Sequence, residues 1–159
     1  ISIAGQNFGA KNYDRVRETY TTSMIFGFVF MTLAGIFIFF TAHFFMSLFT
    51  SDSEVIAAGV YYLQVAAFIG PIYPTFFITS ALFQALKKPI YSLYMTIMRL
   101  TLLPFLSLYY VINIKGGEFQ DIFKTILVTN WGMGILILIF VTFYLKRQLN
   151  IPLRKLFFI

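Results

Sequence analysis

The charges of this chain fall in narrow bands, and between the bands run four stretches that are long, apolar and almost free of charge. Thr19 to Ser51 and Val55 to Leu86 hold no Asp, Glu, Lys or Arg, Pro89 to Ile114 holds Arg99 alone, and Thr125 to Leu145 holds none. A helix crossing a hydrocarbon core of roughly 30 Å needs about 20 mostly apolar residues. Each run meets that length. The pattern predicts an all-α, polytopic membrane helix bundle with four transmembrane helices over residues 19–50, 55–86, 89–113 and 122–145, and a tail over 146–159.

Composition excludes the soluble alternatives. Apolar residues make up 59% of the chain and charged residues 11%, against about 45–50% and 25% in soluble domains. A soluble helix of comparable length needs a charged face, and none of these runs supplies one. Without cysteine there is neither a disulfide framework nor a thiolate metal site. The net charge of +6 would suit a nucleic-acid partner, but the basic residues sit at the ends of the apolar runs, so no nucleic-acid binding is expected. The expected partner is the lipid bilayer. The sequence opens at Ile1 with no basic n-region before a short apolar core, so no cleaved signal peptide is expected in it, and the opening Gly5-Gln6-Asn7-Phe8-Gly9-Ala10 comes before any complete span. The chain therefore reads as the tail of a longer protein, with a missing N-terminal part as its partner.

The bands also orient the spans. Lys11, Arg15 and Arg17 precede the first, Lys87 and Lys88 separate the second from the third, and Lys146, Arg147, Arg154 and Lys155 follow the fourth. If every run crosses, these nine share one side, and the other side receives only Lys115 and Lys124 among its basic residues. By the positive-inside rule both ends lie in the cytoplasm of a multi-pass cell-membrane protein. Ser51, Asp52 and Ser53 offer caps to the second span, with Glu54 complementing its first turn. Pro89 suits a first helical turn, Gly116-Gly117 breaks the chain after the third span, and Asp121 can cap the fourth.

Prolines interrupt two of the spans. Pro71 and Pro74 lie halfway along the second and Pro104 lies in the third; each removes a backbone donor, so kinks are expected there. Such a kink either serves packing or lines a cavity and bends during transport. Catalysis has little to work with: His43 is the only histidine, no carboxylate lies within a span, and His43 has no partner at i+4. Neither an enzyme nor a metal site or cofactor is expected. The polar residues inside the spans are Gln64, Thr75, Thr79, Ser80, Gln84, Ser92, Thr96 and Asn130, which suit hydrogen bonding between helices. Gln64, Tyr73, Thr75 and Gln84 share the proline-bearing span and are candidate cavity-lining groups, while Tyr61, Tyr62 and Tyr73 could hold an organic cation on their ring faces. Arg99 is the sharpest signal. Ten residues beyond Pro89, it lies about 15 Å deep, where a charge costs about 2.5 to 3.5 kcal/mol even on the lenient insertion scale. It must face water, a partner or helix carbonyls.

The segment Gly5-Gln6-Asn7-Phe8-Gly9-Ala10-Lys11-Asn12-Tyr13-Asp14-Arg15 resembles the signature of multidrug and toxic compound extrusion (MATE) transporters, with Gly5, Gln6, Gly9 and Ala10 as the family-like loop motif. Leu48-Phe49-Thr50 with Asp52 and Glu54, leading to Tyr62-Leu63, is similar to the family's outer loop and following helix. Phe83-Gln84-Ala85-Leu86-Lys87-Lys88-Pro89, then Ser92 and Arg99, is similar to its inner loop and following helix. The resemblance implies the end of an eighth helix followed by helices nine to twelve, most of the second of two lobes. It implies a secondary active transporter that exports organic cations or other amphipathic compounds in exchange for Na+ or H+ by alternating access. Some members carry an essential carboxylate in this lobe; no span here has one, so the coupling acid is expected outside these residues. Two other readings stand beside it: a lipid-linked oligosaccharide flippase of the same superfamily, for which a midplane Arg facing a pyrophosphate makes sense, and a non-transporting membrane scaffold, which leaves Arg99 unexplained.

Overall fold

A computed structural model describes residues 1–149; the end of the tail, with Arg154 and Lys155, lies outside the described residues. Seven α-helices follow in chain order among them. A short α1 (Ser2–Gly9) leads into α2 (Tyr13–Ser47), and α3 (Ser53–Ile69) and α4 (Tyr73–Ala85) are joined through a single 3-10 turn, Gly70–Ile72. Beyond them, α5 (Pro89–Ile97) and α6 (Leu103–Tyr109) are separated by a π turn at Met98–Leu102, a second π turn occupies Tyr110–Ile114, and α7 runs from Phe119 to Leu149. They compose four apolar helices of spanning length, Tyr13–Ser47, Ser53–Ala85, Pro89–Ile114 and Phe119–Arg147, and no strand is present among the described residues. The first span begins at Tyr13 and so takes in the charged turn Asp14–Glu18, where the Arg15 and Glu18 side chains pair across one turn at 2.9 Å. With 35 residues, α2 measures about 52 Å and exceeds the hydrocarbon thickness, so it tilts or protrudes.

Local chemistry sets the connections. The Asp52 carboxylate accepts from the backbone N–H of Glu54 at 2.9 Å and of Val55 at 3.4 Å, capping α3 as its residue type predicts. Asp121 acts differently from the cap expected of it. It lies inside the first turn of α7 and reaches back to accept from the Glu118 N–H at 3.2 Å, the reciprocal half of a capping box. Gly116 takes a left-handed φ of 63° at the end of the third span. At the other end of the bundle two lysines take that same left-handed φ, 58° at both Lys11 and Lys87. Each sits in the same helix-ending turn: Lys11 N–H donates to Phe8 and Asn12 N–H to Asn7, while Lys87 N–H donates to Gln84 and Lys88 N–H to Phe83.

The second span is the hub. α3 and α4 pack against α2 on one side and α7 on another, and α4 packs against α5. The tightest packing lies toward the end that bears Lys11, Lys88 and Lys146, where Val16, Thr79, Phe83, Val141 and Leu145 are fully buried. Phe83, Tyr91, Phe140 and Tyr144 form an edge-and-tilt cluster there, with the Lys88 ammonium 5.8 Å from the Tyr144 ring centre. Phe26, Phe30, Phe37, Phe40 and Phe44 remain exposed along α2, as befits a helix whose solvent is lipid.

Candidate functional site

Two consecutive defects in regular helix meet at the middle of the bundle. The first is the break in the second span. Pro71 and Pro74 carry no N–H, so the carbonyls of Ala67 and Gly70 lose their usual donors four residues on. The chain tightens into the 3-10 turn, and Tyr73 N–H donates to Gly70. The Phe68 carbonyl takes the indole N–H of Trp131 at 3.0 Å. The Ala67 carbonyl points at Gly35 of α2 so closely that a Cβ on Gly35 would lie 2.6 Å from it. On this side Gly35, Phe39, Phe68, Pro71 and Trp131 line an apolar cavity of about 250 Å³.

The second defect is the π turn Met98–Leu102, which precedes Pro104 and carries Arg99. An extra residue in a helical turn rotates the side chains around it, and such turns recur at functional sites. Here it presents the guanidinium to the first turns of α4. The guanidinium carbon lies 3.8 Å from the centre of the Phe76 ring, 4.6 Å from Tyr73 and 5.8 Å from Phe77. Tyr73, Phe76 and Phe77 stand at i, i+3 and i+4, one face of a helix, and that face starts where the proline break ends. The Tyr73 hydroxyl stands within hydrogen-bonding reach of the guanidinium. The buried Nε of Arg99 has no hydrogen-bond partner, and no acid pairs with Arg99 among the described residues.

Arg99 shares a cavity of about 160 Å³ with Phe76, Phe77, Ser80, Ser92 and Thr96, between α4 and α5. The hydroxyls of Ser80 and Ser92 hydrogen-bond across the two helices, Gln84 Nε2 donates to Ser80 Oγ at 3.2 Å, and Thr96 Oγ1 donates to the Ser92 carbonyl at 2.9 Å. A polar strip thus runs from Gln84 toward Arg99.

The structure brings Arg99 and Tyr73 into contact and joins Gln84 to their cavity through Ser80. It does not bring Thr75 there: Thr75 is buried on another face, lining a groove of about 450 Å³ with Tyr20, Ile72 and Trp131. Gln64 lies half-buried on α3, beyond the break. Gly5, Gln6, Gly9 and Ala10 belong to α1 and its end, where Gly5 faces the Ala85 backbone; they do not line the Arg99 cavity. His43 is exposed on α2. The expectation that span hydroxyls and amides bond between helices holds for Thr79, which meets Tyr20 at 2.9 Å, and for Ser80 with Ser92. It fails for Thr96 and Asn130, which donate to carbonyls of their own helices. Sequence reasoning missed Phe76, Phe77 and Trp131. The spacing of Tyr73, Phe76 and Phe77 was a readable signal for the first two; for Trp131, only its being the single indole in the chain.

Residues 1–111, more than half the chain, match the model of the MatE family. The chain belongs to the MatE family. It is thus part of a multi-pass membrane transporter. The matched residues take in the first two spans, the proline break and Arg99 with the serines of its cavity in this MatE chain. No curated protein matches it.

Proposed function

We propose that this MatE chain is part of a secondary active transporter that exports organic cations or other amphipathic compounds in exchange for Na+ or H+ by alternating access. The observation that supports the reading best is the broken second span, because it joins a helix interruption to a polar, aromatic cavity at midspan. Broken helices of this kind surround substrate sites in membrane transporters. Both chain ends lie in the cytoplasm, following the excess of Lys and Arg at the end that holds Lys11, Lys88 and Lys146. The coupling ion is held outside the apolar runs of these four spans, since none of those runs carries an acid. The uncharged or anionic part of an amphipathic substrate meets the Arg99 cavity, with Tyr73 and Gln84 at its margins, while a cationic part stays outside it.

The test is ion-driven transport by the full-length protein in proteoliposomes. An imposed Na+ or H+ gradient should drive accumulation of ethidium, and vesicles holding the 159-residue chain alone should not accumulate it. Gradient-driven uptake by the isolated chain would refute the placement of the coupling site. One observation favours a second reading, a lipid-linked oligosaccharide flippase: Arg99 lacks an acidic partner and would suit a pyrophosphate. Movement of such a lipid without any gradient, together with no ethidium transport, would establish it in place of the first.

A further inference from the structure

We infer that the cavity between α4 and α5 is an anion subsite, in which Arg99 with Ser80 and Ser92 binds the carboxylate, sulfonate or phosphate of an amphipathic ligand. The inference rests on the transporter reading above for the ligand's access, but its chemistry follows from four independent observations. The first is the charge. Arg99 is the one Lys or Arg within the apolar runs, and those runs contain no acid. A guanidinium there imposes a positive potential that no side chain of these spans cancels, and in a low dielectric that potential is strong. An organic cation would be repelled from this subsite.

The second observation is the mode of holding. The faces of Phe76, Tyr73 and Phe77 attract the cation without taking its N–H donors, and of these three residues the Tyr73 hydroxyl alone can draw on one. A salt bridge would have spent the fork on a carboxylate. Ring contacts leave most of it available, and a planar fork of donors matches carboxylate or phosphate oxygens bidentately.

The third is a count of hydroxyl hydrogens. Ser80 and Ser92 bring two, and their mutual hydrogen bond consumes one whichever of them donates. Gln84 donates to Ser80 and so spends none. One hydroxyl hydrogen therefore remains for a ligand, from either serine, in the cavity that Arg99 lines. The fourth is size. About 160 Å³ accommodates an acidic headgroup and excludes a polycyclic body, which would extend past the exposed Phe77 and Leu100 at its edge.

A matched pair of probes tests the subsite in the purified full-length protein. Dansylglycine carries a carboxylate; its methyl ester has the same apolar body and no charge. In phosphatidylcholine nanodiscs, dansylglycine should bind at least about tenfold more tightly than the ester, as a charge-assisted bidentate contact requires. Arg99→Gln should abolish the preference, and a monodisperse size-exclusion peak at the wild-type position reports that the variant is folded. Arg99→Lys should retain a reduced preference, since it keeps charge and loses the fork. Ser80→Ala combined with Ser92→Ala should lower the preference by a smaller factor, about three- to tenfold. Equal binding of the two probes, or a preference that survives in Arg99→Gln, overturns the inference. Nanodiscs containing phosphatidylglycerol distinguish the source of the anion: competition with dansylglycine assigns the subsite to a lipid headgroup, and its absence assigns it to a substrate, with the subsite sustained in both cases. Loss of ethidium antiport with the carboxylate preference intact would remove the export reading and leave the subsite; antiport with no preference would do the reverse.

Discussion

A single methyl group at Gly35 should loosen the junction between α2 and the proline break. A Cβ there would lie 2.6 Å from the Ala67 carbonyl oxygen, and ordinary contact begins at 3.4 Å, so the helices must part by about 0.8 Å. The obstacle is backbone, which cannot swing aside as a flexible side chain can. Overpacking of this kind costs about 1–3 kcal/mol, and the gain from replacing glycine in a helix, about 0.4–1 kcal/mol, offsets part of it. Gly35→Ala should therefore destabilise by about 1–2 kcal/mol. Gly132 in α7 provides the contrast, because a Cβ there meets nothing within 4 Å. Gly132→Ala should stabilise by the propensity gain alone. Detergent-solubilised full-length protein, heated and followed by size-exclusion, reads both; at about 2–4 °C per kcal/mol the two variants should shift in opposite directions and separate by several degrees. Equal shifts of one sign would show that the approach of α2 to the Ala67 carbonyl carries no weight.

Replacing Pro71 and Pro74 together by Ala should preserve insertion and lower transport turnover, since a straightened second span withdraws Tyr73 and Phe76 from Arg99; unchanged turnover at equal abundance would make the break a packing feature only. Lys87→Gly should raise stability by about 1 kcal/mol, because the left-handed turn at φ 58° strains a lysine and suits glycine, and no rise in melting temperature would refute that account. Single cysteines at Lys11, Ser53, Lys88 and Gly117 should be labelled by an impermeant thiol reagent from outside intact cells only at Ser53 and Gly117; labelling at Lys88 but not at Ser53 reverses the topology.

The four spans were legible because their cause is additive: each uncharged run is long enough by itself to demand lipid, whatever its neighbours do. Asp52 and Pro89 were legible for the same local reason. Asp121 was half legible; its place near the start of α7 was clear, but whether it caps forward or reaches back depends on where the first helical φ falls, a matter of one or two residues. What escaped was the assignment of faces. An apolar helix in lipid can turn either flank toward its neighbours without a large penalty, so the spacing of Tyr73, Phe76 and Phe77 shows that they share a face but not that this face, rather than the one bearing Thr75, meets Arg99. Trp131 escaped because its partner is a carbonyl on a different span, at Phe68 some sixty residues away in sequence, and leaves no local trace. The π turn escaped too, since its extra residue is inserted in the backbone hydrogen bonding and not in the pattern of side chains.

The two flanks of the break are stabilised in different ways, and paired substitutions can separate them. Trp131→Phe keeps most of the ring and deletes the donor to the Phe68 carbonyl. In hydrocarbon no water replaces it, and interhelical bonds measured in membranes contribute about 0.6–1.7 kcal/mol, so a loss in that range is expected. Arg99→Gln should behave otherwise. Its ring contacts are worth about 2 kcal/mol when desolvated, yet a midspan charge costs about 2.5–3.5 kcal/mol, and the near-cancellation predicts a change within about 1 kcal/mol of zero. The partners of Trp131 and Arg99 do not overlap, Phe68 on one flank and Tyr73, Phe76 and Phe77 on the other. The double variant should thus equal the sum of the single ones to within about 0.5 kcal/mol. Coupling well beyond that would show that the break transmits strain between its flanks. A large loss of stability in Arg99→Gln alone would show that the arginine is there to hold the bundle together, whereas near-neutral stability leaves a residue whose cost is offset but not exceeded by packing, and whose presence at midspan is then explained by what it binds.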